Sequence, residues 1–174
     1  MPAVIALFAL MVGSSILLIG NGLQGLLIPV RADIEGFATS EIGLIAAAYS
    51  AGFIVGCVFN PRIIRRVGHI RSFAVFAAIG AAVILCHSLM LNPTIWFVLR
   101  LVSGICFSGL LTVIESWLNE QTTRETRGQV FGIYLFVNLS SVTAGMLILI
   151  LGDAAKFDLF AVTAIAILLA LVPV

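Results

Sequence analysis

The chain has 174 residues, of which 61% are apolar and 10% charged, with a net charge of +1 and a mean hydropathy of +1.22. Soluble domains carry roughly 25% charged residues, so this composition excludes a water-soluble fold, and the near-neutral charge without a basic stripe excludes a nucleic-acid binder. Cys57, Cys86 and Cys106 all fall inside apolar runs without CxxC spacing, which supports neither a disulfide framework nor a metal site.

Residues 3 to 30 carry no charge and are long enough to cross a hydrocarbon core of about 30 Å with tilt to spare. The start, Met1-Pro2-Ala3, lacks the basic n-region of a secretory signal, and the run is too long for an h-region, so it is expected to be a retained membrane helix. A polar link from Arg31 to Ser40 follows, with Thr39 or Ser40 placed to cap the next helix. Helix two is expected over 41–59 and contains Gly52 and Gly56, a GxxxG pair that allows close backbone approach. Pro61 is expected to end it, and the chain turns through Arg62, Arg65, Arg66, Gly68 and Arg71. Helix three covers 72–90, helix four 95–119, helix five 129–151 and a sixth apolar run 159–174. Asn92-Pro93-Thr94 and the polar segment from Glu120 to Gly128 separate them. Backbone groups in lipid must be satisfied internally, so each run is read as a helix.

Charge orients the bundle. The links after helices two and four hold Arg62, Arg65, Arg66, Arg71, Arg124 and Arg127, whereas the others hold only Arg31 and Lys156. Lys and Arg in short links resist translocation, so both termini are expected in the cytoplasm. Gly20-Asn-Gly-Leu-Gln-Gly25-Leu-Leu recurs as Gly104-Ile-Cys-Phe-Ser-Gly109-Leu-Leu, 84 residues on, and Gly43-x5-Tyr49 recurs as Gly128-x5-Tyr134, 85 residues on. Two matches at nearly one offset suggest two three-helix repeats, inverted because each holds an odd number of helices.

This layout resembles the amino-terminal half of a major facilitator superfamily transporter. The segment from Asn60 to Arg71 is most similar to a YcaD-like bacterial branch. The loop between helices two and three in that family usually reads G-x-x-x-D-R-x-G-R-R. Gly56 and Asn60 match its start with Asn for Asp, and Arg66-x-Gly68-His69-x-Arg71 matches its end after an insertion. The departure removes the acidic partner that the motif normally supplies, and the resemblance offers Glu115, near the end of helix four, as a replacement that receives a loop arginine.

Arg100 is the sharpest single residue, because an ionisable group at membrane depth is a functional candidate by default. At about 100° per residue, Arg100, Gly104, Phe107, Leu111 and Glu115 fall near one face. Arg100-Leu-Val-Ser103-Gly104 resembles the family's helix-four pattern R-x-x-q-G, which implies a cavity-facing role in anion binding or proton coupling. Asn21, Gln24, Tyr49, Ser50, Tyr134, Asn138, Ser141 and Thr143 supply most other polar atoms at depth. Apart from Asn21, each taken singly is read first as an interhelical hydrogen bond of about 0.6 kcal/mol. His69 and His87 are too isolated to suggest a metal.

Helix five lacks the Gly-Pro pair of the family's antiporters, which favours a symporter, uniporter or atypical exporter. There is no HExxH, P-loop or nucleophile motif, so no enzyme and no cofactor is expected. The expected whole is an all-α half-transporter of six membrane helices in the bacterial inner membrane, moving a small solute by alternating access. Its partners would be the lipid bilayer, that solute and either a carboxy-terminal half or a second copy. A membrane scaffold without transport activity is the rival from another class, and a fragment of a longer chain is the favoured account of the length.

Overall fold

The structure, a computed structural model, describes residues 2–172, with side chains from residue 7 onward. The described residues form six α-helices and no strand: α1 (Pro2–Ile34), α2 (Thr39–Val67), α3 (His69–Leu89), α4 (Pro93–Glu120), α5 (Arg127–Ile148), extended by a 3-10 turn Leu149–Leu151, and α6 (Asp158–Leu169). Five are long and apolar enough to cross a membrane. The sixth, at 12 residues, reaches about 18 Å at 1.5 Å per residue, short of a core of about 30 Å. The run expected over 159–174 thus ends as a helix at Leu169, and Pro173 and Val174 lie outside the described residues.

Several helices extend beyond their apolar runs. Helix α1 passes through Pro29 and Arg31 to Ile34, where Arg31 and Glu35 pair at 2.6 Å one turn apart. Helix α2 runs past Pro61 to Val67, so Arg62, Arg65 and Arg66 stand on its last turns and not in a loop. Proline costs an interior helical hydrogen bond, but the helix tolerates it here. The Arg62 guanidinium donates to the Val58 carbonyl at 2.7 Å beside the interrupted turn. What breaks the helix is Gly68, at φ 94°, a conformation that favours glycine. The start of α2 also differs from expectation: neither Thr39 nor Ser40 caps it, and the Ala38 N–H donates instead to Glu41 Oε2 at 2.8 Å. Helix α4 is capped by Asn92, whose Oδ1 accepts from the Thr94 and Ile95 amides ahead of Pro93.

Helix α4 packs mainly on α2 and α3, α1 on α5 and α6, and α3 on α6. Of the most apolar window of α4, 56% is buried, against 17% for α5, so α4 is interior and α5 peripheral. Association in lipid depends on close backbone approach, and glycine provides it at two crossings. A Cβ on Gly52 would strike the Leu101 carbonyl and one on Gly104 the Tyr49 carbonyl. Likewise Gly22 abuts the Val142 carbonyl and Gly145 the Ile19 carbonyl. A Cβ on Gly43 or Gly128, matched in the sequence repeat, would meet nothing within 4 Å among the described residues. Leu17, Leu23, Phe73, Ile84, Leu110, Ile114 and Phe160 fill the space between the helices.

Candidate functional site: a buried arginine among amides and an aromatic ring

Trp96 fixes the rotation of the first turns of α4. Its side chain is fully buried, its indole N–H donates to the Met90 carbonyl at 2.6 Å, and the rings of Phe37 and His87 meet it edge-on at 5.1 and 5.3 Å. One turn further, Arg100 points inward and is only 6% exposed. Its guanidinium carbon lies 4.3 Å from the centroid of the Tyr49 ring on α2, a cation–π contact of about 2 kcal/mol when desolvated. The Tyr49 hydroxyl donates to Asn21 Oδ1 at 3.0 Å, and Gln24 Nε2 donates to the same oxygen at 2.9 Å. Asn21, Gln24, Tyr49 and Arg100 therefore form one cluster joining α1, α2 and α4.

Arg100 Nε and Nη1 have no hydrogen-bond acceptor among the described residues. The only ion pair among those residues is Arg31–Glu35, so no carboxylate neutralises Arg100. A buried donor left without a partner costs about 1–3 kcal/mol, more when charged, and the cost is relieved by an acceptor from outside the chain. Arg100 also lines a cavity of about 30 Å³ with Ile28, Ile42, Ile45 and Ala46, larger than the roughly 15 Å³ that a single water needs. Chemically, the site offers fixed positive charge and free N–H donors in apolar walls.

Other anticipated residues fall elsewhere. On the face expected from helical spacing, Arg100, Gly104 and Phe107 are buried, but Leu111 is half-buried and Glu115 exposed. Glu115 is not brought to Arg65, Arg66 or Arg71, all of which are exposed. Asn138, half-buried on α5, shares no hydrogen bond with the Arg100 cluster, and its Oδ1 has no partner among the described residues. Asn60 is fully buried inside α2, where Nδ2 donates at 2.8 Å to both the Ile105 carbonyl and Ser108 Oγ of α4. Gly56 makes room for that bond, since a Cβ there would overlap Ser108 Oγ.

Two features were not legible as sites in the sequence. His69 Nε2 lies 3.1 Å from Ser116 Oγ and its ring stacks near Trp117 at 5.9 Å, so histidine, not arginine, ties the α2–α3 turn to α4. At the opposite end, His87 Nδ1 lies 2.8 Å from the Val83 carbonyl, with Trp96 against its ring. A histidine three residues from a turn carries a signal only once its facing helix is known.

A bundle of apolar helices around one buried, unneutralised arginine defines a multi-pass membrane protein with a polar interior. The family model of the Major Facilitator Superfamily matches residues 10–174, and the chain belongs to that family of transporters. It is 27% identical over 139 residues to the uncharacterised MFS-type transporter YcaD of Escherichia coli O45:K1 (strain S88), which covers 80% of this chain and 36% of that protein. It is 25% identical over 140 residues to an uncharacterised MFS-type transporter of Enterobacter sp. (strain 638), covering 80% and 37%. The chain thus spans little more than a third of the length of these relatives.

Proposed function

We propose that the chain is the amino-terminal six-helix half of a secondary transporter that moves a small solute by alternating access. The observation that carries this reading is Arg100: buried, held by Tyr49, unneutralised, lining a cavity, and with two N–H-bearing nitrogens still unpartnered. A purely structural arginine would be expected to have its donors satisfied. Its role is to bind an anionic group of the solute, with Asn21 and Gln24 setting the position of Tyr49 beneath it.

The fold supports two inverted three-helix units. Exchanging α1–α3 with α4–α6 converts the α2–α4 contact into α5–α1 and the α3–α4 contact into α6–α1, and leaves α3–α6 unchanged. The glycine crossings follow the same exchange. The exposed apolar faces of α2 and α5, with Ile54, Phe59, Phe136 and Leu139, are available to a second half and to lipid. The arginines on the end of α2 and at Arg71 support an orientation with that end and both termini in the cytoplasm, where they serve as a latch against the second half. The membrane is the bacterial inner membrane, as the relatives are bacterial.

Uptake of labelled organic anions and neutral solutes into proteoliposomes tests this, with the chain alone and co-expressed with the carboxy-terminal half of YcaD. Anion uptake lost in Arg100→Gln is the expected result. Uptake unchanged in that variant, or no uptake in either preparation, would overturn the reading.

A further inference from the structure

The walls around Arg100 say more about the ligand than its charge alone, and the inference below rests on the anion-binding reading just given. The cavity that Arg100 lines is bounded also by Ile28, Ile42, Ile45 and Ala46. Ile45 also forms part of the wall of a wider cleft of about 240 Å³ between the starts of α2 and α4, lined by Leu44, Pro93, Phe97 and Glu41. The two spaces are therefore neighbours across one side chain. Among the described residues, Arg100 is the only charged one lining the inner space, and Glu41 the only one lining the outer.

We infer that the site takes a small organic monoanion with an apolar tail, a short-chain carboxylic acid, whose carboxylate meets one N–H edge of the Arg100 guanidinium and whose tail lies along Ile45 into the cleft at Leu44 and Phe97. The planar guanidinium fork suits a carboxylate, and Tyr49 covers one of its faces, leaving the N–H edge as the donor surface. The inner space of about 30 Å³ admits a carboxylate and is too small for a phosphodiester headgroup with its glycerol, which argues for a free acid over a membrane lipid. Glu41 sets the upper limit on ligand charge. Its carboxylate is fixed by the Ala38 amide at 2.8 Å, so a second negative charge at the far end of the ligand would meet a like charge.

Binding to the purified chain in phosphatidylcholine nanodiscs, followed by calorimetry, tests the inference with acetate, hexanoate, glutarate and hexanol as probes. Affinity is expected to rise up to about fourfold for each methylene that enters the cleft, the equivalent of burying one CH₂. Hexanoate should therefore bind at least tenfold tighter than acetate, while glutarate and hexanol show no saturable binding. Arg100→Gln should abolish hexanoate binding. Ala46→Leu, at an exposed position lining the inner space, should weaken it at least fivefold without changing the unliganded melting temperature. Acetate binding as tightly as hexanoate would overturn the tail assignment and leave Arg100 as an anion site. Hexanoate binding unchanged in Arg100→Gln would remove the anion site itself, and with it the inference. Loss of hexanoate binding in phosphatidylglycerol nanodiscs would assign the site to a lipid and overturn the free-acid ligand, as would the absence of saturable binding by any probe.

Discussion

Arg100 and Asn60 show how one side chain can serve different ends at similar burial. Arg100 keeps unpaired donors in an apolar setting, and such a group is retained at the expense of stability. Arg100→Met is thus expected to raise the thermal unfolding midpoint in nanodiscs, by at most the equivalent of about 2.5 kcal/mol, while removing anion binding; a fall in the midpoint would mean that the charge is structurally required. Asn60 has the opposite character, since both N–H donors of its amide are used on α4. An aspartate has no such donors, which gives a physical reason for asparagine at a position where the family motif carries an acid. Asn60→Asp should destabilise the chain by about 1–3 kcal/mol, read as a lowered midpoint in the same assay. The types of these residues were legible in the sequence, and so was the candidacy of Arg100. The partners were not, because Tyr49, Asn21 and Arg100 lie on three helices whose relative rotation no single helical period specifies. Tyr49 in particular reads alone as an ordinary interhelical hydrogen bond, and becomes part of the site only through the ring it places under Arg100.

At the scale of elements, the apolar runs located the helices but not their ends. Hydropathy marks the segment that sits in hydrocarbon, whereas helix hydrogen bonding continues into the interface through Arg31 and through Arg62, Arg65 and Arg66 until Gly36 or Gly68 allows a turn. The sixth run illustrates the converse, since its apolar composition continues past Leu169 while the α-helix does not. Packing between elements leads to a paired expectation on glycines. Gly145→Val should remove most folded protein, because its Cβ would occupy the Ile19 carbonyl and force α1 from α5. Gly43→Ala, in open space on α2, should instead stabilise by about 0.5–1 kcal/mol through helix propensity. Yield of monodisperse protein by size-exclusion chromatography and thermal midpoints together check the pair. Equal tolerance at both positions would contradict the crossing geometry.

At the scale of the whole molecule, charge placement predicts sidedness. In a cysteine-free background, Arg71→Cys should react with an impermeant maleimide only after cells are opened, and Asn92→Cys should react in intact cells. The reverse labelling would invert the proposed topology. The bundle also has a division of labour, with α1 and α4 enclosed and α2 and α5 presenting apolar surface outward. The crossing at Gly104 connects that architecture to the site. The carbonyl that Gly104 admits belongs to Tyr49, the residue whose ring lies against Arg100. The separation of two backbones, together with the hydrogen bond from the Tyr49 hydroxyl to Asn21, therefore sets the height of the aromatic platform below the guanidinium. Affinity acts as a gauge of that separation: Gly104→Ala, whose methyl would press on the Tyr49 carbonyl, should weaken anion binding even in the protein that still folds.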